Sequence, residues 1–206
     1  MARISRIVIP GIPHHVVQRG NRRQKTFFVD DDYQAYLNLL NVTCKTYGVS
    51  LLAYCLMPNH VHLIVIPQTQ ESLRLAIGGA HYSYTKRVNQ RINWKGCLWQ
   101  GRFYSTPMDD IYLGFCRQYV EYNPVRAGLC KTPKEYKWSS AYKGPDEKEA
   151  NFLTEEVLKV IRRNSRTGRP LGSDEFITKL ESELGKTLKP KKAGRKKNTS
   201  CVTELL

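Results

Sequence analysis

The sequence predicts an α+β domain built on one antiparallel sheet, and three observations carry that prediction. The strand-like apolar runs are short, and two of them flank a Pro58-Asn59 turn, as in a hairpin. Two longer segments between the strands repeat apolar residues at helical spacing. In chain order these give strand, helix, strand, strand, helix, strand. That is the split βαβ, or ferredoxin-like, order, with the helices on one face of the sheet.

HHVVQR, 14–19, reads as the first strand, and GNRRQK follows it as a basic turn. Asp30, Asp31 and Asp32 then offer caps and negative charge to a helix start. Tyr33, Tyr36, Leu37, Leu40, Cys44 and Tyr47 recur at helical steps until Gly48 ends the pattern. LLAYCLM, 51–57, is an apolar run of strand length, and the Pro58-Asn59 turn leads into HVHLIVIP. A second helix is expected over about 71–90, with Leu73, Ile77, Ala80, Tyr84 and Val88 on one face. NWKGCLWQG leads to a short strand, 102–108. Asp109 and Asp110 cap a third helix, from 111 to about 123, which Pro124 terminates. Beyond about residue 145 the composition becomes polar. TEEVLKVIRRN and SDEFITKLESELG read as two short amphipathic helices, the second with Ser173 as N-cap and Gly185 as its stop. The expected organisation is a main domain over 1–145, a helical extension over 146–185 and a basic, disordered tail over 186–206.

No apolar run approaches the length of a membrane span, and a Pro-Gly break interrupts the N-terminal stretch where a signal peptide needs continuity. A soluble, cytoplasmic, nucleoid-associated protein with no membrane partner is expected. The six cysteines are scattered without a C-x-x-C, which excludes a zinc ribbon or disulfide scaffold. Charge is the strongest bulk signal: 33 Lys+Arg against 18 Asp+Glu, a net of +15. It is unevenly spread. Residues 1–29 contain no acid, and KTLKPKKAGRKK, 186–197, holds seven basic residues and no acid. Charge spread for solubility alone would not cluster so, and a nucleic-acid partner is the reading it favours.

His60 and His62 stand one residue apart at the start of HVHLIVIP. Strand alternation puts both imidazoles on one face, roughly 7 Å apart along the chain, close enough to converge on one metal ion or phosphate. An H-x-H alone matches often by chance, so the pair needs partners. The third helix carries Tyr112, Cys116, Tyr119 and Asn123 on one stripe. Such a stripe is more often core than catalyst, but Asn123 can offer a carbonyl oxygen to a metal. Two imidazoles and an amide oxygen suit Mg²⁺ or Mn²⁺, with positions left for a phosphate oxygen and water. A tyrosine would then be the nucleophile on a phosphodiester.

MPNHVHLIV, followed by WQGRF, RQYVEYNPVRAGL and YKWSS, resembles the HUH single-strand transposase superfamily, and within it the REP-associated tyrosine transposases. PGIPHHVVQRGNRRQ at the start reinforces the block order, and the resemblance covers roughly residues 5–145. It implies a ferredoxin-like fold, His60 and His62 as the metal pair, Tyr119 as nucleophile and Asn123 as third ligand. Relatives outside the subgroup are expected to carry glutamine where Asn123 stands. The resemblance also implies cleavage and rejoining of single-stranded DNA beside palindromic hairpins, by a monomer or homodimer, through a 5′-phosphotyrosine. Helix geometry agrees on the nucleophile. Tyr119 is one turn from Asn123, whereas Tyr112 lies roughly 10 Å from Tyr119 along the axis and Tyr122 is off the stripe. Arg19, Arg22, Arg23 and Arg102 are the candidate backbone contacts, and Tyr104 a candidate stacking platform for unpaired bases. Two rivals remain. One is an autonomous insertion-sequence transposase of the same chemistry, and the other a non-catalytic protein that binds DNA or RNA hairpins.

Overall fold

The computed structural model of the chain describes residues 6–144 and 153–190. Four strands, β1 (His14–Arg19), β2 (Val49–Met57), β3 (His60–Pro67) and β4 (Tyr104–Pro107), form one antiparallel sheet in the order β2-β3-β1-β4. Helices α1 (Asp30–Thr46) and α2 (Ser72–Arg91) make the two crossovers of the expected ferredoxin-like order.

Alternation along the strands divides the side chains between two cores. Val16, Leu56, Val61, Leu63 and Val65 face α1 and α2 and pack with Tyr36, Leu40, Leu73, Ile77 and Tyr84. The predicted stripe of α2 is wholly buried: Leu73, Ile77, Ala80, Tyr84 and Val88 each show no exposed surface. On α1 the stripe ends one turn early. Tyr47, expected in it, is 40% exposed because it is the helix C-cap rather than a residue of the last turn. At the other end the cap position belongs to Val29. Buried Asp32 accepts hydrogen bonds from the Phe28 and Val29 backbone N–H groups and pairs with Arg91 of α2.

The opposite face of the sheet is also covered, by α3 (Asp110–Glu121) and by α5 (Glu155–Thr167). Ala53, Cys55, Met57 and Ile64 pack there against Cys116, Val120 and Ile161. Asp109 caps α3 by accepting from the Tyr112 N–H at 2.9 Å, and it also accepts from the Ser173 N–H. Pro124 does not end the helical path as expected. After a break at Tyr122 it lies at the start of a single further turn, α4 (Asn123–Arg126), where a missing N–H costs nothing. Helix α6 (Asp174–Leu184) is capped by Ser173 and stopped by Gly185, as predicted, and packs its Leu180 against Ile7 and Leu188.

Both outer edges and the hairpin tip are held by irregular segments. Residues 138–140 run along β2, through Leu56 N–H to Trp138 and Ser140 N–H to Tyr54. Leu171 hydrogen-bonds to Pro107 and Asp109 beside β4. The Pro58-Asn59 tip receives N–H bonds from Gly20, Thr26 and Phe27. Gly20 has no room for a side chain: a Cβ there would sit 2.3 Å from the Gln24 carbonyl oxygen. Most of the basic tail, residues 191–206, and most of the polar linker, residues 145–152, lie outside the described residues, Cys201 among them.

Candidate active site

The pairing register assembles one face of the sheet. His60 stands opposite Arg19, His62 opposite Val17, and Val17 in turn opposite Tyr104. The end of α3 and the turn of α4 close one side of this face, and α5 closes another. The result is a cleft of about 500 Å³. Its lining includes Arg19, His60, His62, Tyr104, Tyr119 and Asn123, six residues singled out in the sequence. Arg22 and Arg23 are not in it. They sit exposed on a 3-10 turn, Asn21–Arg23, with left-handed backbone at φ 51° and 62°. Arg102 is exposed on the turn before β4 and does not line the cleft either.

Both histidines of the pair are held by their Nδ1 atoms. His60 Nδ1 bonds the Asn59 side-chain oxygen at 2.6 Å, and His62 Nδ1 shares a hydrogen bond of 2.9 Å with His15 Nε2. The two rings lie 4.9 Å apart, centroid to centroid. Burial lowers the His60 pKa to about 4, with Arg19 pushing the same way. His62 is lowered well below the ordinary value, first by burial and then by the adjoining His60, His15, Arg126 and Arg19. A neutral imidazole that donates from Nδ1 presents the Nε2 lone pair to an ion, the arrangement usual around a bound metal. Among the described residues no cluster of three His, Cys, Asp or Glu side chains is placed to hold an ion. A metal here would therefore take the two imidazoles and oxygen from an amide, water or phosphate, a set that suits a Mg²⁺- or Mn²⁺-like ion. The residues present fit such an ion.

Tyr119 separates from the other tyrosines of its helix by position. Its ring stands edge-on to His62 at 5.7 Å and to His15 at 5.9 Å. The Arg126 guanidinium lies over the ring, 4.4 Å from its centroid, and donates to the Tyr119 carbonyl oxygen. Tyr112 packs against Phe115 in the second core, and neither Tyr112 nor Tyr122 lines the cleft. Asn123 faces the same cleft from the first residue of α4.

Sequence reasoning missed several residues of this site. His15 lies behind His62, and Arg126, Arg162, Ser165 and Arg166 share the wall with Val17, Gln100 and Ala127. His15 could have been found from HHVVQR, whose alternation puts it on the face of Arg19, although only the strand register reveals its neighbour. The three α5 residues come from beyond the linker, and no local pattern ties them to the histidines. Four arginines and no carboxylate line the cleft, a charge balance that suits a polyanion.

Comparison with known proteins identifies the family and the fold. A Haemophilus influenzae protein named as a REP-associated tyrosine transposase is 24% identical over 139 residues, 62% of this chain and 77% of the relative. A solved structure of a REP-associated tyrosine transposase bound to a REP hairpin superposes with a TM-score of 0.57 at 18% identity. The match covers 75% of this chain and 96% of that one, and shows that the fold is shared. The family model described as "Transposase IS200 like" matches residues 9–123, more than half the chain. The segment carrying all four strands, the histidine pair and Tyr119 is thus the matched one, and the chain belongs to the IS200-like transposase family.

Proposed function

We propose that this protein is a metal-dependent tyrosine transposase that cleaves and rejoins single-stranded DNA beside short palindromic hairpins. The observation that carries the reading is the meeting of Tyr119 with the neutral His60–His62 pair in one arginine-lined cleft. Its substrates are hairpins of the repetitive extragenic palindrome kind, a reading supported by the hairpin-bound structure that shares this fold.

The chain's own residues divide the work. His60, His62 and Asn123, which share the cleft, would hold a divalent ion, and that ion would supply Lewis-acid chemistry toward the scissile phosphate. Arg19 and Arg126 neutralise phosphate charge, and Arg126 places a cation against the attacking ring. The Tyr119 oxygen gives up its proton and forms a bond to phosphorus. The P–O3′ bond breaks, and the 3′ oxygen takes up a proton. A 5′-phosphotyrosine and a free 3′-OH result, and the covalent link keeps the bond energy for rejoining without a nucleotide cofactor. Tyr104, on the cleft floor beside Val17, offers an aromatic face to an unpaired base. Arg22, Arg23 and Arg102, exposed outside the cleft, hold the backbone further along the hairpin. Residues 1–145 are the transposase domain, 146–185 its helical extension and 186–206 a basic arm for non-specific phosphate contact.

A labelled single-stranded hairpin oligonucleotide tests the metal part of this reading. Cleavage is expected with Mg²⁺ or Mn²⁺, to be lost with chelator, and to be lost in His60→Ala and in His62→Ala with hairpin binding retained. Asn123→Ala is expected to slow cleavage less, because water can replace a neutral amide oxygen. Cleavage that persists in excess chelator contradicts the mechanism.

A further inference from the structure

His15 takes no part in the reaction above, yet it is fully buried directly behind His62. Its place follows from the register: His15 stands opposite Ile64, one cross-strand step diagonally from His62. The two rings lie nearly in parallel planes, 15° apart, with centroids 5.1 Å apart. His15 Nε2 meets His62 Nδ1 at 2.9 Å, and on the far side His15 Nδ1 meets the Ser165 Oγ at 3.0 Å. Ser165 belongs to α5, outside the family-matched segment 9–123. The helix is fixed where it stands. Ile161 is buried in the second core, Thr106 of β4 donates to the Asn164 carbonyl, and the Asn164 amide donates to Pro170.

A hydroxyl and two neutral imidazoles in a row have two proton arrangements. In one, Ser165 Oγ accepts from His15 Nδ1–H, and His15 Nε2 accepts from His62 Nδ1–H. His62 then presents the Nε2 lone pair. In the other, every hydrogen bond runs the opposite way, His62 Nε2 carries the proton, and no lone pair remains for an ion. The hydroxyl can serve either order, so the row fixes the tautomer only as a unit.

We propose that His15, anchored by Ser165 of α5, is a positioning residue that fixes the tautomer and ring angle of His62. Helix α5 is then a structural part of the active site rather than an appendage. The proposal rests on the reading of His62 as a metal ligand, and outer partners of this kind typically govern affinity by about 10- to 100-fold.

Mn²⁺ binding to the full chain, followed by the electron paramagnetic resonance of free Mn²⁺, tests it without any turnover. His15→Phe is expected to weaken binding about 10- to 100-fold. His15→Gln, whose amide oxygen can accept from His62 Nδ1–H, is expected to recover most of it. Ser165→Ala, at a half-buried position that tolerates the change, is expected to weaken binding by a smaller factor. Long-range ¹H–¹⁵N spectra of the unsubstituted protein, with the His62 signal identified by its loss in His62→Ala, are expected to show protonation at Nδ1. A His62 protonated at Nε2, or unchanged Mn²⁺ affinity in a folded His15→Phe and in Ser165→Ala, overturns the proposal. Unchanged affinity in His62→Ala instead overturns the ligand reading on which it stands, so the two failures are distinct.

Discussion

All five histidines of the chain are buried or largely so, and each has its pKa lowered, chiefly by burial. Two of them, His14 and His81, neither line the cleft nor touch its histidine pair. His14 is lowered to about 4 and bonds the Ile12 carbonyl, and His81 is lowered to about 3 and bonds the Tyr36 hydroxyl. In the unfolded chain both titrate near 6.5, so from pH 6.5 down to about 4 for His14 and about 3 for His81 the unfolded state binds protons that the folded state excludes. Stability is therefore full above pH 6.5 and falls as the pH falls. Each histidine contributes a slope of up to about 1.4 kcal/mol per pH unit. A urea midpoint clearly lower at pH 5 than at pH 7, with a flatter dependence in His81→Gln, is the expected result; equal midpoints contradict it. At this scale the sequence was legible wherever a pattern is local. H-x-H lies within one strand, and Tyr119 and Asn123 are close enough in sequence for helical spacing to pair them although a break at Tyr122 divides their helices. His15 and Arg126 are legible only once strands and helices are packed, because their partners are cross-strand or across a helix break.

At the scale of elements, boundaries followed caps and breakers closely, and the exceptions have physical causes. Leu52 forms a bulge in β2, so Leu51 and Ala53 face opposite cores although one residue separates them. Pro124 opens a turn instead of closing a helix, which lets Asn123 and Arg126 reach the cleft from a new direction. Asp32 joins two elements. Its fully buried carboxylate takes two backbone N–H groups at the entry to α1 and both bonds from Arg91 at the end of α2. Removing it strands a guanidinium and two donors, so Asp32→Ala is expected to cost about 3 kcal/mol, at the lower end for a buried pair because Arg91 is a third exposed. Denaturant unfolding measures this; a loss below about 1 kcal/mol contradicts the assigned role.

At the scale of the molecule, the ferredoxin-like sheet separates support from chemistry. One face is given to the α1–α2 core, and the other carries histidines and arginines between the second core and the open cleft. The strand–helix order was readable from apolar periodicity, and the sheet order follows from it. That α5 would fold back beside β4 was not readable, because its contacts span the polar linker and depend on shape rather than on spacing. In the proposed reaction this convergence makes Tyr119, and no other tyrosine, the nucleophile. Incubating the protein with a labelled single-stranded hairpin and Mn²⁺, denaturing it and mapping the covalent adduct by peptide mass spectrometry tests that claim directly. One adduct is expected, on Tyr119, lost in Tyr119→Phe and kept in Tyr112→Phe and Tyr122→Phe. An adduct on Tyr104, Tyr112 or Tyr122, or none on any tyrosine while the hairpin still binds, contradicts it.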